Sequence, residues 1–387
     1  MATFDLWQQA YVLSQQSGSV SARQGTPSEL ASALDKLLNE FYAQAETVSA
    51  IGKWSTVWGP LVFESNPGPT SYADNVMFAA ANADRSAYLV GIAGTNPNSK
   101  YDIDQEDLAV GTTEAWISAF PSLQPYSVPG GLNPYLSTGT ALGVNNLLGM
   151  VDTMQGTNQT LAAFLQSLPS ATTRQATLIF AGHSLGGALS PPLALAFFNP
   201  DGGKLSSSAW ANVYVYPTAG PTPGNADFGR YLSSVFPPTS PGKQPYQVWN
   251  RNVMNTLDVI PHAWEISTLD QIAGLYSPYD TQFGTPPLKV LGGVQYAKGL
   301  SNKGGSTEAG PYEQIESQPL PGTFQGSKRV ADFSDFAAQT LYQHTTAYDV
   351  LLNVTSLSPG ARNQAAYVPV VRAMLSAPEG TSPVGTA

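Results

Sequence analysis

The chain has 387 residues, 42% of them hydrophobic and only 11% charged, with no cysteine and a formal net charge of −10. That composition is globular, excludes disulfides, thiolate metal sites and a cysteine nucleophile, and leaves no basic stripe for nucleic acid or an anionic bilayer. With no apolar run long enough to span a membrane and no basic, apolar leader at Met1–Trp7, the chain is expected to be soluble, cytoplasmic as it stands or secreted if a leader has been removed.

Phe4, Trp7 and Tyr11 recur at helical spacing. Thr26-Pro27-Ser28-Glu29 is a capping box with proline at the first helical position, followed by an apolar face of Leu30, Leu34, Leu37, Leu38 and Phe41. Residues 1–60 therefore read as N-terminal helices packed on a sheet. Residues 76–81 and 87–94 flank Asn82-Ala83-Asp84-Arg85-Ser86 and read as a hairpin. Asp102, Asp104, Glu106 and Asp107 follow; they lack the glycine and terminal glutamate of an EF-hand loop and read as a solvated acidic loop.

Apolar strands at 176–181, 210–216 and 246–254 then alternate with helical stretches, which implies a mostly parallel sheet covered on both faces. The first of those helices runs from Gly186 to Phe198, and Pro191 and Pro192 are expected to shorten or bend it. Residues 265–330 are rich in glycine and proline and read as an insertion decorating the domain. The whole is read as one α/β domain over residues 1–376, with a frayed tail at 377–387.

Gly182-His183-Ser184-Leu185-Gly186 matches the G-x-S-x-G nucleophile elbow. So short a pattern also arises by chance, but here it follows an apolar strand and opens a helix, the context that the motif requires. The elbow lifts the Ser184 hydroxyl clear of the sheet and aims the start of the helix at it, so that the Leu185 N–H can stabilise an oxyanion.

A serine hydroxyl needs a base, and the base needs a carboxylate to fix its tautomer. The chain has three histidines. His183 adjoins the nucleophile but points away from it and reads as an elbow-packing residue. In this fold the order along the chain is Ser, acid, His. Ser184, Asp258 and His344 satisfy it, with His262 as the alternative base, four residues beyond Asp258 on the same short loop.

Five blocks resemble the class 3 lipases, the family typified by filamentous-fungal triacylglycerol lipases. Ala181–Leu189 is similar to that family's elbow, Thr218–Asn225 to its glycine- and proline-bearing turn, and Arg251–His262 to its acid-bearing strand end. His344 with Tyr348 resembles its catalytic-histidine segment, and Val90–Thr95 resembles its oxyanion strand, though Ala93 stands where the family usually has arginine. The resemblance implies an α/β-hydrolase with Thr95 as a second oxyanion donor and a lid within 96–149. Trp116, Ile117, Phe120 and Leu123 would form that lid as a short amphipathic helix. The lack of cysteine departs from the disulfide-stapled fungal members and points to a bacterial relative.

The reading is a serine carboxylic ester hydrolase acting on fatty-acyl esters through an acyl-enzyme, needing neither cofactor nor metal. Its partners would be a small or lipid ester and, transiently, a lipid interface. The alternatives are a phospholipase A1 or short-chain esterase on the same scaffold and, from another class, a non-catalytic lipid- or partner-binding protein.

Overall fold

A computed structural model describes residues 3–123, 127–200 and 202–357; the tail expected at 377–387 lies outside them. The strands among these residues are β1 (Trp54–Phe63), β2 (Asn75–Asn82), β3 (Ala87–Ile92), β4 (Thr113–Ala115), β5 (Tyr135–Ser137), β6 (Thr177–His183), β7 (Asn212–Thr218), β8 (Asn252–Asn255) and β9 (Ser317–Leu320). Seven of them form one sheet in the order β1-β2-β3-β6-β7-β8-β9, and β4 pairs with β5 separately. The pairs β1–β2 and β2–β3 are antiparallel, whereas β3, β6, β7, β8 and β9 run parallel. The carboxyl ends of β3, β6, β7 and β8 therefore open on one edge of the sheet, where open α/β folds place their sites.

Side-chain alternation explains how both faces are covered. Tyr88, Val90 and Ile92 of β3 and Leu178 and Phe180 of β6 point to one face, into an apolar cluster with Leu189, Leu193 and Phe197 of the helix Leu185–Phe198. Leu89 of β3, and Ile179 and Ala181 of β6, point to the other, against Tyr11, Leu34 and Leu38 of the helices Leu6–Gln15 and Pro27–Ala43. The capping box at Thr26 forms as the sequence predicts, with both reciprocal hydrogen bonds present.

Several elements differ from expectation. The N-terminal helices end at Ile51, and residues 54–63 form β1, an edge strand whose Gly59-Pro60 reads as a breaker. The helix after the elbow is neither shortened at Pro191-Pro192 nor interrupted there, because it is buried on every face and its packing outweighs the lost backbone hydrogen bonds. The stretch 265–330 is more than decoration. It contributes helices Ile266–Ile272 and Leu288–Gly305, builds a third apolar cluster over Val259, Ile260 and Trp264, and supplies β9 to the edge of the main sheet.

Phe180 links strand to elbow helix, its ring 6.0 Å from Phe197 and 6.2 Å from Phe198. Phe180→Ala is expected to cost about 3–5 kcal/mol in denaturant unfolding, as for a fully buried aromatic; a loss below about 1 kcal/mol would mean that this packing does not anchor the helix.

Candidate active site

Ser184 sits between β6 and its helix at φ 60°, ψ −127°, a backbone conformation that side chains rarely adopt. Such a residue stores on the order of 1–3 kcal/mol of strain and persists only where its surroundings enforce it. Here they do. A β-carbon at residue 182 would lie 2.3 Å from the Gly186 carbonyl oxygen, and one at residue 186 would lie 2.4 Å from that of Ile92, so both positions require glycine. Ser184 N–H donates to Thr218 O at 3.0 Å, and Ser184 O accepts from Gly187 and Ala188 N–H at 2.8 and 3.1 Å. Leu185 opens the helix, so its N–H belongs to the first turn, which has no intrahelical acceptors, and the positive end of the helix lies beside Ser184.

His344 ends the helix Phe333–His344, and its Nε2 lies 2.8 Å from Ser184 Oγ. Its Nδ1 lies 2.8 Å from Asp258 Oδ2. A carboxylate only accepts, so Nδ1 carries the hydrogen and Nε2 is left to accept from the serine. Ser184, His344 and Asp258 are 3%, 2% and 0% exposed. The structure thus brings together the three side chains that chain order singles out. His262 is not among them: its Nδ1 lies 2.7 Å from the Asp258 carbonyl oxygen and it serves the loop's own backbone.

Asp258 is held from several sides. Its Oδ1 accepts the Ile260 N–H at 3.0 Å and its Oδ2 accepts the Tyr348 hydroxyl at 2.9 Å, while that hydroxyl accepts the Asn255 N–H at 2.9 Å. The Asn255 side-chain amide donates to Gln343 O at 2.8 Å, tying the end of β8 to the residue before His344. Asn252 holds Gly220 through both its N–H and its carbonyl, at 3.0 and 2.9 Å, fixing the turn that follows β7. Composition alone hides these asparagines, because nothing in a polar residue's identity says that it is buried.

The acidic stretch corrects the sequence expectation most. It is not a solvated loop: Asp102, Glu106 and Asp107 are buried in a turn of π-helix, Ile103 and Asp104 are half-buried, and Gln105 is exposed. Each buried carboxyl has partners. Asp102 accepts the Asn96 N–H at 2.8 Å, Glu106 accepts from the Asn75 and Asn146 amides at 2.8 and 3.0 Å, and both oxygens of Asp107 accept the Thr95 hydroxyl, at 3.2 and 3.0 Å. Loss of solvation on burial pushes the Asp107 carboxyl up to about 7 and the Glu106 carboxyl up to about 8. Among the described residues no cluster of imidazoles and carboxylates is arranged to hold a metal ion.

Of the lid residues, Trp116, Phe120 and Leu123 are buried in the main apolar cluster, where the Trp116 ring lies 4.9 Å from Phe120 and 5.8 Å from Phe228. Ile117 is 53% exposed. The segment is a four-residue helix, Trp116–Ala119, and a short 3₁₀ turn, Pro121–Leu123, in place of one continuous amphipathic helix.

The architecture is that of an α/β-hydrolase. The family model of the class 3 lipases matches residues 116–267, a stretch that holds Ser184 and Asp258 and ends before His344. The solved structure of M37 lipase is 22% identical, with 95% of this chain and 97% of that one covered at a TM-score of 0.68. Rhizopus niveus lipase II is 14% identical over 68% of this chain and 76% of its own, TM-score 0.42. The propeptide complex of Rhizomucor miehei lipase is 15% identical over 66% and 62%, TM-score 0.39. No curated protein matches the sequence. Residues 116–267 thus match the class 3 lipases, and that match supports a carboxylic ester hydrolase.

The buried Asp107 predicts a signed pH effect on stability. In the unfolded chain this carboxyl loses its proton near the ordinary aspartate value of 3.8, whereas the folded protein keeps it until about 7. The folded state binds the extra proton between those limits, so its stability contribution is full below the lower limit and falls as pH rises to the upper one. Asp107→Asn keeps an acceptor for Thr95 but cannot titrate. The wild-type minus variant difference in unfolding free energy should therefore decline from pH 4 to pH 7 and then level off; a difference that rises with pH would contradict the burial argument.

Proposed function

We propose that the protein hydrolyses fatty-acyl esters by nucleophilic catalysis at Ser184. The observation that carries the proposal is the unbroken contact from Ser184 Oγ to His344 Nε2 and from His344 Nδ1 to Asp258 Oδ2, each 2.8 Å. Ser184 attacks the ester carbonyl while His344 takes its proton, and Asp258 orients and stabilises the resulting imidazolium. Tyr348 and Ile260 keep Asp258 aimed at the ring. The oxyanion meets the Leu185 N–H at the helix start and the Thr95 backbone N–H. The Thr95 hydroxyl is committed to Asp107, which makes the backbone the donor in this arrangement. His344 returns the proton to the departing alcohol, and water, activated by the same imidazole, then hydrolyses the acyl-enzyme.

Ser184→Ala and His344→Ala should each remove most of the turnover of a p-nitrophenyl ester, and Asp258→Asn should lower kcat by roughly 10⁴-fold or somewhat less, through the wrong tautomer. Retained turnover in His344→Ala together with its loss in His262→Ala would move the base to the other histidine.

Because the candidate nucleophile is covered, substrate entry requires movement, and we assign it to the segment 116–123. Exposing Trp116, Phe120 and Leu123 to water costs about 1.5–3 kcal/mol each, a cost that a lipid surface offsets. The insertion presents Phe283 and Leu288, 79% and 84% exposed, as further contacts for such a surface. Activity on a long-chain triacylglycerol is expected to jump once substrate passes its solubility limit; a smooth saturation curve through that point would remove interfacial opening from the account.

A further inference from the structure

His183, the last residue of β6, is a second imidazole in the site that the mechanism above does not use. Its neighbours are specific. Nδ1 lies 2.9 Å from Thr218 Oγ1 on the adjacent strand, and Nε2 lies 2.7 Å from the main-chain carbonyl oxygen of His344. Its ring faces that of His344 with centroids 4.8 Å apart at 36°, and it packs edge-on against Tyr348 at 5.0 Å and Tyr11 at 6.0 Å.

These contacts determine the tautomer. A carbonyl oxygen can only accept, so Nε2 carries the hydrogen, and in a neutral ring Nδ1 must then accept from the Thr218 hydroxyl. That hydroxyl's other acceptor, Gly182 O, is farther away at 3.3 Å. Loss of solvation and the nearby His344 hold the ring's pKa down to about 3, so it stays neutral while a positive charge forms on its neighbour. The carbonyl it grips belongs to the final residue of a helix, one of the last four carbonyls that lack an intrahelical donor. One residue adjoining the nucleophile thus grips the backbone of the base.

We propose that His183 is a positioning residue: it donates from Nε2 to the His344 carbonyl and so holds the His344 ring where it reaches Ser184 and Asp258 together. The inference rests on the serine mechanism above. Its failure is distinguishable, because Ser184→Ala tests that mechanism and leaves His183 in place.

The test separates hydrogen bond from packing. His183→Phe keeps a ring and removes the donor, whereas His183→Gln removes the ring and keeps an N–H at similar reach. Misplacing a base by a fraction of an ångström to 1 Å costs up to about 10²-fold. His183→Phe should therefore lower kcat roughly 10- to 100-fold with KM unchanged, and His183→Gln should recover most of the loss. Purely structural damage would lower the folded fraction and would not be recovered by restoring the donor alone, so the recovery in His183→Gln separates positioning from structure. The titratable groups facing His183 are His344, Asp258, Tyr11 and Tyr348. Wild-type rates in the Phe variant, or equal losses in Phe and Gln, would overturn the proposal. If neither variant folds, nitrogen NMR of the wild type decides: a neutral ring protonated at Nε2 from pH 5 to 9 supports it, and an Nδ1–H tautomer or a titration near 6.5 overturns it.

Discussion

The tightest constraint in the molecule is steric and lies at the strand-to-helix turn. For the Ser184 hydroxyl to stand clear of the sheet, its backbone must take up a left-handed conformation while β6, the following helix and the end of β3 close to within backbone contact. Only hydrogen at residues 182 and 186 permits that approach. The rest of the site follows from it, because the same closure brings the first helical amides beside Ser184 and sets His183 one residue before it, within reach of the histidine-bearing helix.

Around that turn the structure spends buried polar groups instead of charge pairs. Asn252 clamps Gly220, Asn255 ties β8 to Gln343, Tyr348 bridges Asn255 to Asp258, and Asp107 takes the Thr95 hydroxyl. A buried polar group is costly unless it is hydrogen-bonded and, once bonded, tolerates little displacement. These residues come from segments far apart in sequence and hold one another in register. The arrangement suits an active site, where a fraction of an ångström matters more than net stability.

What was legible in the sequence was whatever leaves a local trace. The elbow shows because close approach forces glycine on either side of a serine, and the hairpin and parallel strands show because alternating burial leaves apolar runs. Asp258 and His344 could be chosen from chain order with so few histidines available. What was hidden depends on tertiary surroundings. β1 carries Gly59-Pro60, and the four-residue β9 carries Pro319, so both edge strands look like loops. Asp102, Glu106 and Asp107 look solvated until Asn75, Asn96, Asn146 and Thr95 are folded against them. His183 reads as elbow packing because its partner, a main-chain carbonyl, has no sequence signature.

The central claim is that the hydroxyl at residue 184 is a nucleophile because the imidazole at residue 344 activates it. A fluorophosphonate probe tests this directly, since it forms a stable bond only with an activated serine. Mass spectrometry of the digested adduct should find the probe on Ser184, with labelling lost when His344 is replaced by alanine. A folded wild-type protein that resists the probe, or labelling of Ser184 that proceeds undiminished without His344, would contradict the account.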